Sequence, residues 1–533
     1  QIRQVKLARS KNLAVDREAL QRGAIESVLK EHLKPIERFL NTKISLDLPK
    51  IEKHLFQQPL MPYALLNDLS LNQFARLTEL LRVDAPIQLQ VHSLRTYPEG
   101  STASHVLGFV AMREPEADDS NLRTFSFKEQ VGLNGVEKSF DDTLSGTTGY
   151  ELWLVNPAGF RYERTEHVSA APGNPLQITI DTRLQKSLEK AFGRKIGAAA
   201  AIDVGSGEVL SLVSKPSYNP NDLIPSFNAA TNARINFQNG WMNRAIQGLY
   251  PPGSTFKLMT AMAAIDAGQL DLDEKINCPG FMQIGGRRYP CNKPTGHGDV
   301  NLVSALEKSC NVYFYNVGLR TGPEAIMAKA KEFCLDRPTG IELPGETRRM
   351  ILPTPAWKKE KLFEPWYAGD TANVAIGQGD LLVTPLQMAC MTASLARGDT
   401  QTTPTLIKKE NPTELPSKPY SEGWARVIEG MKAAASTGTA RLVHVDGLEV
   451  AAKTGTAQVK VNGQNLTLAW FVGFAPVENP QVALAIVVEG TSTDDEYAGG
   501  TTAAPIARSF LETWKATISS GQNSTSLPNA GVK

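Results

Sequence analysis

The chain has 533 residues, 41% of them apolar, and its 56 basic and 55 acidic side chains leave a formal net charge of +1. That balance excludes a general nucleic-acid binder, which needs a basic face, and ordinary use of glycine (42) and proline (33) excludes a fibrous or wholly disordered protein. No run reaches the roughly 18 apolar residues of a membrane helix; the longest, 482–488, suits a strand buried on both faces. At roughly 100–200 residues per domain, the length predicts two to four domains. The opening residue is Gln1, which leaves room for an N-terminal signal or anchor trimmed from the chain.

Residues 1–175 are charged and leucine-rich, hold no cluster of acids, bases or nucleophiles, and read as a scaffold. Within them, Ser70 and Gln73 have capping-box spacing before Phe74, Leu77 and Leu80, which share one helical face. Residues 87–92 alternate apolar and polar and predict a half-buried strand that ends at the turn 97–100. A Pro/Gly/Asn stretch at 171–175 reads as a linker. Beyond it, 176–180 predicts a strand, and 197–203 with 207–213 predicts a hairpin around 204–207. Helices are expected at 254–267, 301–307 and 387–395, then strands at 450–453, 470–474 and 482–488. Strands at both ends with helices between them imply an α+β domain over 176–517, its antiparallel sheet assembled from distant segments and flanked by helices. The tail 518–533 lacks apolar periodicity and is expected to be disordered.

Three short motifs carry the chemistry. Ser254 and Lys257 lie at i and i+3 at a predicted helix start, so hydroxyl and amine share a face. The helix N-terminus favours negative charge developing near Ser254. A lysine there serves as a base only if burial or a neighbouring cation lowers its pKa. Ser309-Cys310-Asn311 follows 55 residues after Ser254, and Lys453-Thr454-Gly455-Thr456 begins 199 residues after it. The last motif lays a cation and two hydroxyls along a strand whose glycine leaves space for a close approach. Each motif alone is weak; the three in this order match the signature of penicillin-binding proteins and serine β-lactamases.

On these residues the chain resembles the class B penicillin-binding proteins, most closely the branch that serves cell elongation. The likeness extends to Arg95–Gly108 and Gly135–Lys138 in a non-catalytic, dimerisation-type pedestal, and to Trp366–Asp370, Ala375–Gly379 and Val383–Gln387 in the transpeptidase domain. Arg22–Glu26 only partly follows the family's N-terminal pattern. The resemblance implies a peptidoglycan D,D-transpeptidase that cross-links stem peptides through a serine acyl-enzyme and is trapped by β-lactams. Ser254 would be the nucleophile and Lys257 its base, with Lys453 staying charged. Ser309 would relay the proton, and Asn311 would hold the substrate peptide bond. Lys453, Thr454, Gly455 and Thr456 would form the substrate-binding edge, with the N–H groups of Ser254 and Thr456 as oxyanion hole. A division-type transpeptidase and, more remotely, a β-lactamase or β-lactam sensor share these motifs. The roughly 250 residues before Ser254 and the lack of a clear glutamate to prime water count against a β-lactamase. The likeness also implies an enzyme outside the inner membrane, held by one N-terminal anchor, with its catalytic domain in the periplasm. It would work with a membrane lipid II glycosyltransferase and other elongation proteins.

Cys278, Cys291, His297 and Cys310 form a Cys3His set suited to tetrahedral zinc, though their spacing is too wide for a finger. If Ser309 and Asn311 face the cleft, an extended loop turns Cys310 to the opposite side, where the insertion carrying the other three can fold back. Some members of the resembled branch have a zinc site here built from Asp, Asp, His and Cys, with Cys278 and Cys291 at the two Asp positions. The alternative is a Cys278–Cys291 disulfide. Cys334 and Cys390 stand in apolar contexts and read as small buried side chains.

Overall fold

The structure is a computed structural model describing residues 17–57, 62–66, 69–81, 87–89, 94–113, 129–147, 149–156, 161–224, 228–461, 464–492 and 495–524. Packing divides the chain into two units, 1–95 with 114–128 and 148–170, and 96–113 with 129–147 and 171–533.

In the first unit the helix Arg17–Leu40 buries Leu33 and Ile36 in a small core with Leu77 of the helix Leu71–Leu80. The capping box at that second helix is complete, Ser70 Oγ accepting from Gln73 N and Gln73 Oε1 accepting from Ser70 N. Residues 87–89 pair with no strand among the described residues, although Ile87 and Leu89 pack on the same core; 90–92, the rest of the expected strand, lie outside the described residues. An antiparallel hairpin of Tyr150–Val155 and Arg161–Val168 completes the unit.

The second unit is built on a five-stranded antiparallel sheet. Its strands are β1 (Ile196–Asp203), β2 (Val209–Lys215), β3 (Ala451–Val461), β4 (Gln464–Ala475) and β5 (Val482–Glu489), in the order β3-β4-β5-β1-β2. β1 and β5 read as continuous apolar runs because both sheet faces are covered. Ala198, Ala200 and Ile202 join one core with Trp470, Val472 and helices α2 (Lys257–Asp266) and α6 (Pro385–Arg397). Ala199, Ala201 and Ile486 join another with helices α1 (Thr182–Phe192) and α8 (Ala504–Ser524). Between α2 and α6 run α3 (Leu302–Glu307), α4 (Asn311–Thr321) and α5 (Ala368–Ala375); α7 (Glu422–Ser436) precedes β3.

Two expectations are corrected, the strand at 176–180 and the disordered tail. Residues 96–113 and 129–147 of the expected pedestal pack with the second unit. Val106 and Val136 enter its main core, and the N–H groups of Tyr97 and Ala103 donate to Asn221 Oδ1 (2.9 Å) and Glu189 Oε1 (2.8 Å). The segment 176–180 is no strand; Ile178 makes a single bridge with Ile407. The tail is helical through Ser524, because α8, nucleated on buried Ile506, Phe510 and Trp514, elongates cheaply once begun; 525–533 lie outside the described residues.

Candidate active site

The nucleophile motif enters on a tight turn. Gly253 adopts φ +56°, and a single turn of 3-10 helix, Gly253–Phe256, leads into α2. Ser254 is half-buried and its hydroxyl makes no hydrogen bond among the described residues. Lys257, one turn on, is fully buried. Its Nζ donates to Asn311 Oδ1 (2.6 Å), Ser309 O (2.8 Å) and Ser309 Oγ (3.3 Å). Lys453 Nζ donates to the same Ser309 Oγ at 2.9 Å and to Thr454 O at 2.9 Å. The three motifs, 55 and 199 residues apart in sequence, thus converge on the Ser309 hydroxyl. Ser309 sits at φ +53°, a left-handed conformation that costs a non-glycine residue energy and is common at functional sites.

Burial governs both amines. Desolvation lowers the Lys257 pKa to about 7, with Cys310 and Cys291 acting weakly upward. Lys453 is pushed well below its ordinary range, by desolvation first and by Lys257 second. Desolvation is the first cause of the downward shift of both amines, and the two lysines also repel each other across the Ser309 hydroxyl.

β3 is one of the two edge strands of the sheet. In an antiparallel strand the N–H and C=O of one residue point the same way, alternating along the chain. Thr454 O accepts from Lys453 Nζ and Thr456 O from Gln378 Nε2 (3.3 Å), so both carbonyls face outward from the sheet. The Thr456 N–H accordingly faces the cleft edge. The Thr454 hydroxyl is tied to Thr439 Oγ1 at 2.9 Å, whereas Thr456 is exposed. Gly455 is the place where the chain's own turn comes close: an added Cβ would lie 3.0 Å from Pro252 O and 3.2 Å from Ser254 N. The sequence reading assigned no role to Gln378 or Thr439. Gln378 lies between two glycines and Thr439 after one, a pattern of close approach that could have drawn attention to them.

The four zinc-type residues also converge. Their ligating atoms all lie within 4.8 Å of one another. Cys278 Sγ and Cys291 Sγ are 3.6 and 3.5 Å from His297 Nδ1, and Cys291 Sγ is 3.8 Å from Cys310 Sγ. A tetrahedron with Zn–S near 2.3 Å and Zn–N near 2.0–2.1 Å has edges of about 3.8 Å (S–S) and 3.6 Å (S–N), so the set fits zinc. All five cysteines are free thiols, which does not favour the disulfide alternative. The backbone holds the set in place: His297 N donates to Cys278 O (3.0 Å) and Cys291 N to Gly280 O (2.8 Å). Between Cys278 and Cys291 a hairpin, Phe281–Ile284 with Arg287–Pro290, carries the Pro290 carbonyl to the Asn311 side-chain amide (3.3 Å) and the Tyr315 hydroxyl (3.2 Å).

A free serine hydroxyl at a helix start, a buried lysine of lowered pKa and an edge-strand N–H on a five-stranded antiparallel sheet define a serine acyl-transferase site. Residues 197–512 match the penicillin binding protein transpeptidase domain, and residues 7–178 match the penicillin-binding protein dimerisation domain. The chain is 31% identical to the peptidoglycan D,D-transpeptidase MrdA of Acinetobacter baumannii over 80% of its own length and 67% of that protein. It is 30% identical to the MrdA of Escherichia coli K12, over 83% and 74%. Among solved structures, penicillin-binding protein 2 of Helicobacter pylori in complex with MreC aligns with 95% of the chain and 93% of its own, at 27% identity and a TM-score of 0.74. Penicillin-binding protein 2 of Pseudomonas aeruginosa in complex with WCK 5153 aligns with 80% and 92%, at 30% identity and a TM-score of 0.67. The chain belongs to the class B penicillin-binding proteins, in the penicillin-binding protein 2 branch.

Proposed function

We propose that this chain is the peptidoglycan D,D-transpeptidase of cell elongation, with Ser254 as the acylated nucleophile. The convergence of Lys257 and Lys453 on the Ser309 hydroxyl, with Asn311 Oδ1 accepting from Lys257 and a free Ser254 hydroxyl beside them, carries the reading. Lys257, with a pKa near 7, takes the Ser254 proton as Oγ attacks the carbonyl between the two terminal D-alanines of a stem peptide. Contacts between nucleophile and base tighten on substrate binding in such sites. The N–H groups of Ser254 and Thr456 hold the oxyanion, a contribution of about 2.7–4 kcal/mol per donor in comparable acyl transfers. Ser309 delivers a proton to the departing D-alanine amine, and Asn311 holds the substrate's peptide bond. The terminal carboxylate binds along Lys453, Thr454 and Thr456, with Gly455 keeping the strand close to the turn. Its charge favours the ammonium form of Lys453, opposing the desolvation that lowers that pKa. An amine from a neighbouring stem then attacks the acyl-enzyme.

Cys278, Cys291, His297 and Cys310 hold a structural zinc ion in this reading, since all four ligands are protein groups. A bound ion there would tie the insertion to the loop between Ser309 and Asn311 and would supply no chemistry to the acyl transfer. The enzyme works at the periplasmic side of the inner membrane, held by an N-terminal anchor; no described helix is long and apolar enough to cross a membrane. Its partners are a membrane lipid II glycosyltransferase and elongation proteins. Likeness to the H. pylori MreC complex supports this, as does likeness to a peptidoglycan synthase complex coordinating polymerization and crosslinking (26% identity, TM-score 0.68).

Intact mass after incubation with benzylpenicillin tests the reading. One adduct on the peptide containing Ser254 is expected, stable for many minutes and absent in Ser254→Ala. Rapid hydrolysis of the drug with no trapped adduct would overturn it in favour of a β-lactamase.

A further inference from the structure

The oxyanion hole proposed above needs two N–H groups from different elements at one spacing: Ser254 on the turn and Thr456 on β3. Something has to hold the turn against the sheet. Gly455 provides the room, and the residue directly opposite it across the β3–β4 ladder is Trp470. Paired residues of an antiparallel ladder project on the same face, so Trp470 stands beside the gap that Gly455 leaves. Trp470 is fully buried, and a buried indole needs an acceptor for its N–H. It donates to the carbonyl of Pro251, three residues before the nucleophile, at 3.0 Å. Its ring also meets Tyr250 edge-on, with centroids 6.2 Å apart.

The opposite side of the same segment is anchored by backbone. Gly253 N donates to Gly377 O (2.8 Å), and Tyr250 exchanges two hydrogen bonds with Val383 (2.9 and 3.1 Å). Those bonds tie the turn to the loops around α5 and say nothing of its distance from β3. Tyr250 also reaches the sheet through its hydroxyl on Glu489, at the end of β5, but that contact is farther from Ser254 in sequence and on the strand beyond β4.

We propose that Trp470 is a positioning residue for the acylation step: by holding the Pro251 carbonyl, it sets the spacing of the Ser254 and Thr456 N–H groups that receive the oxyanion. Trp470 touches neither substrate nor reacting atoms and acts through the turn. The inference rests on Ser254 being the nucleophile and on that pair of donors forming the hole.

The test uses Trp470→Phe, which keeps a buried ring and loses the donor, and Gly455→Ala, whose Cβ would press on the turn at Pro252 O and Ser254 N. Acylation by benzylpenicillin is resolved into the dissociation constant of the initial complex and the acylation rate constant per titrated active site. Affinity is measured in parallel for a phenylboronic acid, whose tetrahedral serine adduct places an oxygen in the hole. In Trp470→Phe the rate constant falls roughly 10- to 100-fold, as for a misplacement of about 1 Å. Boronate affinity falls by the same factor, while the initial dissociation constant changes less than about twofold. Gly455→Ala lowers the rate constant and the boronate affinity together, and the double variant loses less than the product of the two, because both act on one spacing. A lower melting temperature or active fraction with an unchanged rate constant per site would overturn the proposal and leave Trp470 a packing residue. Should Trp470→Phe fail to fold, an unchanged rate constant per site in Gly455→Ala overturns it equally. A penicillin adduct surviving in Ser254→Ala would instead defeat the proposed function, so the two failures are distinct.

Discussion

Lys257 and Lys453 illustrate how little a residue type says about its charge. Both are lysines in polar motifs, and both are fully buried around one serine hydroxyl. Burial disfavours the ammonium form, so the sign is downward for each. For Lys257 this means that the amine is protonated below about pH 7 and free above it. Acylation efficiency with penicillin is therefore expected to fall about tenfold per unit below that pH and to level off above it; a pH-independent rate between pH 5 and 8 would remove Lys257 as the base. Lys257→Arg replaces the base by a permanent cation and should lose acylation nearly completely, whereas Lys453→Arg, which keeps a cation for the carboxylate, should retain part of it. Comparing the two acylation rates checks the division of roles. The residues of all three motifs could be named in the sequence because each type has a narrow chemical use. The strained φ of Ser309 and the tie between Thr454 and Thr439 could not, since both depend on neighbours distant in the chain.

At the scale of elements, the insertion between α2 and α3 is tied to the catalytic loop at two adjacent points. Cys291 follows Pro290, whose carbonyl accepts the Asn311 amide, and Cys310 directly precedes Asn311. A zinc ion on Cys278, Cys291, His297 and Cys310 would hold both ends of that hydrogen bond. Protein purified without chelator should carry near-stoichiometric zinc, and His297→Ala should lose it. Removal is expected to lower the melting temperature by a few degrees or more, each kcal/mol lost being worth roughly 2–4 °C in a domain of 150–250 residues and less in a larger one. Acylation should slow in parallel. Metal-free protein two protons light in mass would indicate a disulfide instead. Elements were most legible where periodicity and end signals agree, as in the capped helix after Ser70. They were least legible where an apolar run lacks a partner, as in 176–180, because a strand exists only if another strand accepts its hydrogen bonds.

Across the whole molecule, the sheet is closed by pairing β5, near the C-terminus, with β1, more than 250 residues earlier. Two excursions, 96–113 and 129–147, pack with this unit before the chain reaches β1. A chain beginning at residue 171 would strip Val106 and Val136 from the main core and leave Asn221 and Glu189 without the Tyr97 and Ala103 N–H groups. Deleting whole core side chains costs about 2–5 kcal/mol each, so such a chain should melt lower and aggregate more readily than one beginning at residue 94. Equal melting curves for the two would show that these excursions add nothing to stability.

The sequence by itself picked out the residues that meet in space, the serines, lysines and asparagine of the three motifs and the four Cys and His side chains, because each proposed role needs a particular functional group and a local context readable within a few residues. It also determined the alternation of apolar strands and helices, since burial on one or two faces leaves a period in the residues themselves. Only the tertiary structure decided which distant segments share a unit, what stands beside each motif, and how deeply the two lysines are buried. Those properties depend on distances between residues tens or hundreds of positions apart, and desolvation and hydrogen-bond geometry act through space without leaving a periodic trace along the chain.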